Sequence, residues 1–167
     1  MITDLVQIQR LGEQKEKENK RFRLFLKRRN PSDRHLRHLA ESIQDQIDCT
    51  KCANCCREGE AGVTTRDIEK LSKFIGVTRE EFREQFTMRA SDNELILKRS
   101  EGTGCVFLKD NLCTVYEARP RSCADYPHLV RGEGSLTSRM WLMPERAPWC
   151  PIVYNWLEAV KDELGFP

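Results

Sequence analysis

Residues 49–56 read CTKCANCC and place four thiols, those of Cys49, Cys52, Cys55 and Cys56, in one short segment. A C-x2-C spacing lets two thiolates reach one metal from a single turn, and C-x2-C-x2-C extends the set to three ligands. The triple spacing also occurs in bacterial ferredoxins, in which a distant cysteine completes each 4Fe–4S cluster. Because thiolates are soft ligands that suit zinc and iron–sulfur centres, the segment predicts a metal site.

The last two cysteines of this segment are adjacent, so their side chains are expected to point in different directions. Neighbouring side chains point different ways in most backbone conformations, so Cys55 and Cys56 are not expected to serve one mononuclear site in the same way. Three roles stay open for the extra thiol: it faces a second metal, it bridges two metals, or it is not a ligand.

Four further cysteines follow downstream: Cys105, Cys113, Cys123 and Cys150. The first two flank a predicted hairpin around residues 110–111, and Cys150 takes the N-cap position of the last helix, where the helix dipole stabilises a thiolate. Eight thiols divide evenly into two four-ligand sites, although the number does not determine the partition. A buried cysteine without a metal is the alternative at each distal position.

Composition and charge narrow the class of protein. The chain has 167 residues, with 28 Lys and Arg against 26 Asp and Glu, so its charge favours neither nucleic acid nor a membrane as a partner. No apolar run approaches the roughly 18–20 residues of a membrane span, and the opening residues lack the features of a signal peptide. We therefore expect a cytoplasmic protein, in which dense cysteines indicate metal or redox chemistry rather than disulfides.

The periodicity of apolar residues predicts a helix-rich chain. Helices are expected over 4–29, 33–47, 64–76, 78–89 and 151–165, strands over 94–99 and 136–143, a hairpin over 105–116, and a short helix or turn over 116–127. We predict a small α+β domain with a minor antiparallel sheet, organised around thiolate-bound metal. Its parts are an N-terminal helical extension, 1–48, and a cysteine-cluster domain with a C-terminal helix, 49–167.

Three segments together resemble a known family. They are CTKCANCC, GTGCVFLKDNLCTVYEARPRSCADYP and a later cysteine, and they resemble the YkgJ-like CxxCxxCC family, described as zinc- or iron-chelating. The resemblance covers about residues 49–150 and implies metal binding by all eight cysteines. The cysteine motif is also similar to that of the bacterial flagellin lysine methylases, which are associated with an iron–sulfur cluster.

Two arginines are candidates for binding a cofactor. Arg119 and Arg121 lie two to four residues before Cys123, and guanidinium groups beside thiolates donate N–H bonds and offset negative charge. The alternative is an ordinary turn held by salt bridges.

These observations favour a metal-binding protein that holds one or two iron–sulfur centres, of the 4Fe–4S type or related, with an electron-transfer or redox role. An unidentified redox or protein partner is then expected. The alternatives are a zinc-binding structural or interaction module, and a metal-dependent modification enzyme or metal chaperone. Apart from the metal site, the sequence contains no catalytic constellation.

Overall fold

The structure, a computed structural model, describes residues 1–100 and 102–167. These residues form two compact units: a first unit of Met1–Asp48 with Tyr126–Pro167, and a second unit of Cys49–Asp125. Residues 126–167, which the sequence analysis grouped with the cysteine segment, thus share a unit with the N-terminal helices. The division into functional domains 1–48 and 49–167 stays a prediction.

The described residues are mainly helical, with short antiparallel strands, which confirms the predicted α+β class. The helices are α1 Leu5–Gln14, α2 Glu16–Arg29, α3 Asp33–Gln44, α4 Cys49–Cys52, α5 Asn54–Glu58, α6 Thr65–Ile75, α7 Arg79–Phe86, α8 Arg121–Asp125, α9 Leu136–Arg139, α10 Met143–Arg146 and α11 Pro151–Leu164. Short 3₁₀ turns cover Tyr116–Ala118 and Met140–Leu142. No helix in the described part of the chain is long and apolar enough to cross a membrane.

The strands form three separate antiparallel pairs. They are β1 Thr87–Arg89 with β2 Leu95–Leu97, β3 Arg99–Ser100 with β4 Gly104–Cys105, and β5 Leu108–Lys109 with β6 Leu112–Cys113. The predicted hairpin around 110–111 is confirmed: Asp110 and Asn111 both have positive φ, 50° and 64°, as a tight two-residue turn requires.

Local capping signals account for the two longest helices of the second unit, α6 and α7. Thr64 and Asp67 form a capping box at the start of α6, and Thr78 and Glu81 form another at the start of α7. Gly76 ends α6 in the left-handed conformation, in which glycine is favoured because it has no Cβ. These three features confirm where both helices begin and where α6 ends. The expected end of the second helix at residue 89 was wrong, because α7 stops at Phe86 and Thr87–Arg89 pair with β2 as strand β1.

The prediction of one continuous helix over 4–29 was wrong. The chain turns at Lys15, between α1 and α2. The break allows both helices to bury residues: Gly12 of α1 lies so close to Pro148 that a Cβ there would be 2.5 Å from the Pro148 Cα, while Phe22 and Leu26 of α2 are fully buried. Tertiary packing therefore overrides the helical pattern at this point.

The strand predicted over 136–143 was also wrong, because this segment forms α9 and the 3₁₀ turn. Ser135 caps α9 by accepting the backbone N–H of Ser138. The buried side chains of the segment, Leu136, Met140 and Met143, recur every three or four residues, which is the spacing of one helical face.

The first unit is built around α11. Trp156 is fully buried and its indole N–H donates to the carbonyl of Leu36, 3.0 Å away. Lys161 is also buried, and its ammonium group contacts Glu18 of α2 at 2.5 Å and Glu158 at 2.6 Å. These contacts fix α11 against the N-terminal helices.

The core of the second unit combines helices α6 and α7 with the hairpin segment. Ile68, Leu71 and Phe82 are buried there with Phe107 and Val115. Phe107 and Val115 lie two residues after Cys105 and Cys113, so the core anchors the backbone beside these two thiols.

Candidate metal centre

The cysteines differ in their surroundings. Seven belong to the second unit, where Cys49 is exposed and the other six are half-buried. Cys150 belongs to the first unit, where it is 5% exposed and forms part of the hydrophobic core, directly before α11. All eight are in the thiol form rather than in disulfides.

The backbone around the cysteine pair is sharply turned. Ala53 adopts the left-handed conformation, with φ of 47°, between the short helices α4 and α5. This residue separates two short helices, so Cys49 and Cys52 lie on α4 and Cys55 and Cys56 lie on α5. The sulfur atoms of Cys55 and Cys56 are 4.0 Å apart and share a hydrogen bond.

A close backbone contact brings Cys56 and Cys105 together. Gly104, directly before Cys105, lies against the backbone of Cys56 and Arg57, and a Cβ on it would be 2.5 Å from the Cys56 carbonyl oxygen. Its φ is +79°, a conformation that glycine adopts at little cost. The contact joins β4 to α5 and makes the two cysteines neighbours in space.

Cys105 and Cys113 are held in the same way. The sulfur of Cys105 accepts the backbone N–H of Phe107, and the sulfur of Cys113 accepts the backbone N–H of Val115. In both cases the donor lies two residues after the cysteine and its side chain is buried. The core thus aims a fixed N–H at each sulfur, which stabilises a thiolate.

Cys123 is positioned through its own helix, α8. The backbone N–H of Arg121 donates to Asp67 at 3.0 Å, and the Ser122 hydroxyl donates to the carbonyl of Gly62 at 2.8 Å. The side chain of Ser122 also forms a hydrogen bond with Cys123. These contacts fix the short helix to α6 and to the segment before it.

Four thiols, those of Cys56, Cys105, Cys113 and Cys123, interact electrostatically with one another, and we call them the four-thiol group. The hydrogen bond from Cys55 lowers the pKa of Cys56 to about 7, against the effect of burial and with help from Arg57. Burial raises the pKa of Cys105 and Cys113, and the charge on Cys56 raises both further. Burial raises the pKa of Cys123 to about 12, with the other three thiols contributing.

Arginines stand beside three members of this group. The positive charges of Arg57, Arg99 and Arg119 act on Cys56, Cys105 and Cys113 respectively, and each lowers the thiol's pKa. Arg119 also lies over the ring of Tyr116, 3.8 Å from its centroid, whereas the Arg121 side chain contacts Asp125 at 3.3 Å.

Sequence reasoning missed Arg57 and Arg99. The first directly follows the cysteine pair, a position that could have drawn attention to it. The second pairs with Cys105 only through the register of β3 and β4, which the sequence does not reveal.

The donor set fits a soft metal centre, because sulfur ligands with N–H donors and cationic neighbours are the surroundings that thiolate-bound zinc and iron–sulfur clusters require. Within residues 1–100 and 102–167, no three Cys, His, Asp or Glu side chains lie close enough to hold a metal ion. The arrangement is therefore one of neighbouring thiols rather than a formed coordination sphere.

The geometry defines a cysteine-cluster protein, and a comparison with known families specifies which one. A family model described as "CxxCxxCC: Putative zinc- or iron-chelating domain" matches residues 48–151, a range that contains all eight cysteines. The match covers more than half of the chain, so the protein belongs to this family. No curated protein and no solved structure matches the chain.

Proposed function

We propose that the protein binds an iron–sulfur centre through the thiolates of the four-thiol group and serves in electron transfer or related redox chemistry. The observation that carries this proposal is the close backbone contact of Gly104 with Cys56, which places Cys56 beside Cys105. The pKa shifts of Cys105, Cys113 and Cys123 support it, because each responds to the charge on Cys56. These residues come from three separated parts of the chain, α5, the hairpin segment and α8. A group gathered from such distant positions is the pattern expected of ligands to one centre.

In this proposal, the backbone N–H groups and the arginines beside the four-thiol group stabilise the thiolate ligands. The backbone N–H groups of Phe107 and Val115 orient two thiolates and stabilise their charge, while Arg57, Arg99 and Arg119 offset the negative charge of the ligand set. An iron–sulfur cluster held there would exchange single electrons with a redox partner protein. Hydrogen bonds to sulfur and nearby cations are the means by which the chain would adjust its potential.

The remaining cysteines are proposed as ligands as well. Cys49, Cys52 and Cys55 keep the C-x2-C-x2-C spacing after Cys56 is assigned to the four-thiol group, and three such thiols suit a second centre. Cys150, in the core of the first unit, stays a predicted ligand. Arg121 stays a predicted cofactor-binding residue.

Anaerobic purification followed by iron, zinc and acid-labile sulfide analysis tests the proposal. We expect a brown protein with broad visible absorbance and with iron and sulfide in comparable amounts. A colourless protein with stoichiometric zinc and no sulfide would overturn the iron–sulfur assignment.

Single replacements by serine then test the ligand set. Cys56→Ser, Cys105→Ser, Cys113→Ser and Cys123→Ser should each remove the same portion of the bound metal. Thr114→Ser, next to Cys113, is the matched control and should keep the full content. If Cys56→Ser retained all metal, the four-thiol group would not be the ligand set.

A zinc centre is the second candidate, because the paired sulfur–amide contacts at Cys105 and Cys113 also suit a closed zinc site with four cysteine ligands. Its contribution would be folding free energy rather than electron transfer. The same metal analysis separates the two candidates, since only the iron–sulfur centre brings sulfide and visible absorbance.

A further inference from the structure

A pocket of about 370 Å³ opens beside the four-thiol group, within the second unit. Its described lining residues are Arg57, Glu58, Arg99, Ser100, Gly102 and Gly104. Arg57 directly follows Cys56 and Gly104 directly precedes Cys105, so the pocket is lined by the chain neighbours of both cysteines. Its volume is within the range of small-molecule sites, roughly 300–1,000 Å³.

Neither arginine of this pocket is paired with a carboxylate within the described residues. Arg57 donates to the Cys52 carbonyl at 2.9 Å and to the Asn111 side chain, and Arg99 donates to the carbonyls of Glu58 and Arg57 at 2.8 and 2.5 Å. All four acceptors are uncharged oxygens. Across residues 1–100 and 102–167, neither guanidinium group forms a salt bridge with a carboxylate.

These contacts also hold the two guanidinium groups in place. A guanidinium carries five N–H donors. Arg57 and Arg99 each donate two of them to these oxygen acceptors, so the remaining N–H groups can bind a ligand. Since the side chains are already ordered, binding would require little additional loss of rotamer freedom. The Ser100 hydroxyl adds a neutral donor to the lining.

We propose that this pocket, which we call the anion pocket, binds the carboxylate or phosphate group of a small molecule through Arg57 and Arg99. Planar guanidinium groups match both oxyanions with paired hydrogen bonds. Glu58 is the one carboxylate in the described lining, so the described lining residues carry two positive charges against one negative charge. The proposal goes beyond metal binding and holds for either metal.

A competing explanation assigns the arginines to the thiols alone. In that case Arg57 and Arg99 only offset the charge of Cys56 and Cys105, and added anions would interact weakly and without saturation. The two explanations therefore differ in whether a defined anion site exists.

Isothermal titration calorimetry of the full-length protein as purified tests the proposal, with inorganic phosphate and succinate as separate probes at constant ionic strength. We expect saturable binding of at least one probe at one site per chain. Arg99→Gln should weaken it at least about tenfold, because a hydrogen bond to a charged group is lost. Arg79→Gln, which removes an exposed arginine of the same unit paired with Glu69, should leave it unchanged.

Glu58→Gln provides a test that does not depend on the stability of the Arg99 variant. Glu58 is exposed, and removing its negative charge should tighten binding by about two- to fivefold, the range expected for an exposed charge interaction. Binding without saturation, no tightening in Glu58→Gln, or an equal loss in Arg79→Gln would each overturn the proposal. Metal content measured on the same samples shows separately whether the proposed metal centre is present.

Discussion

Gly104 and Gly102 have the same backbone conformation, with φ of +79° at both, but different surroundings. Among the described residues other than its chain neighbours, a Cβ on Gly102 would meet nothing within 4 Å, whereas one on Gly104 would lie 2.5 Å from the Cys56 carbonyl oxygen and 2.7 Å from the Arg57 Cα. The missing side chain of Gly104 is therefore what lets β4 approach α5. At the scale of single residues, the proposed metal centre depends on this glycine as much as on the thiols.

Gly104→Ala should reduce both metal content and stability, with Gly102→Ala as the matched control. A left-handed alanine costs about 1–2 kcal/mol at either position, but Gly104→Ala must also displace backbone and should cost about 1–3 kcal/mol more. Urea unfolding and metal analysis measure the two effects. Equal losses in both variants would show that the close contact does not position Cys56 and Cys105.

Within the adjacent pair of cysteines, Cys56 is the one that interacts with the downstream thiols. The pKa of Cys56 is lowered to about 7 by the hydrogen bond from Cys55, and Cys56 interacts with all three downstream thiols of the four-thiol group. These interactions favour Cys56 as the member of the pair that belongs to the four-thiol group, and the different roles of the two cysteines stay a prediction.

Among the elements, α6 and α8 are joined by one carboxylate. Asp67, 8% exposed, accepts the backbone N–H of Thr64 with one oxygen, at 2.9 Å, and the backbone N–H of Arg121 with the other, at 3.0 Å. The helix α8 has only five residues, too few for intrinsic helix stability. Its position, and with it that of Cys123, depends on this tertiary contact.

Asp67→Asn should lower the free energy of unfolding by about 1.5–3 kcal/mol near neutral pH, because the charged acceptor of two backbone N–H groups is lost. Burial raises the pKa of Asp67, but the bonds from Thr64 and Arg121 outweigh it and the pKa lies below its usual value. The stabilisation is thus complete above about pH 3.9 and is lost as pH falls further, through the lowered pKa.

Urea unfolding of both proteins between pH 7 and pH 3 measures this effect, and the difference between native and variant should narrow at the acidic end. Glu81→Gln, at the equivalent and exposed capping box of α7, is the control and should have the smaller effect. A constant difference across this pH range would contradict the role given to the Asp67 charge.

For the whole molecule, the two ends of the chain belong to one unit. Lys161 of α11, 5% exposed, contacts Glu18 of α2 and Glu158, and Trp156 bonds to the carbonyl of Leu36 in α3. Residues 1–48 therefore contribute side chains to the core of the first unit. Their charged character reflects the exposed faces of these helices.

Lys161→Ala should destabilise the protein by about 2–3 kcal/mol, since it removes the buried cation that pairs with Glu18 and leaves Glu158 with Lys15 alone. Lys20→Ala, which removes an exposed lysine paired with Glu16 on α2, should have little effect because surface ion pairs contribute weakly. Thermal and urea unfolding check both variants. Equal effects in the two would contradict the view that α11 is tied to the N-terminal helices through Lys161.

The sequence by itself determined the features that depend on local chemistry. Cysteine spacing indicated the family, apolar periodicity predicted α6 and α7, and residues 110–111 predicted the hairpin turn, because each signal acts within a short stretch of chain. The strand prediction for residues 136–143 was wrong, because a short apolar pattern fits a strand as well as one face of a helix.

Tertiary structure alone decided which distant residues meet. That Cys56 neighbours Cys105, Cys113 and Cys123, and that Arg57 and Arg99 line one pocket, follows from strand register, the close approach of Gly104 and the Asp67 contact. Such pairings join residues roughly fifty positions apart, where no local preference acts and only packing selects the partner. The same reason explains why the break at Lys15 and the union of both chain ends in one unit were not apparent from the sequence.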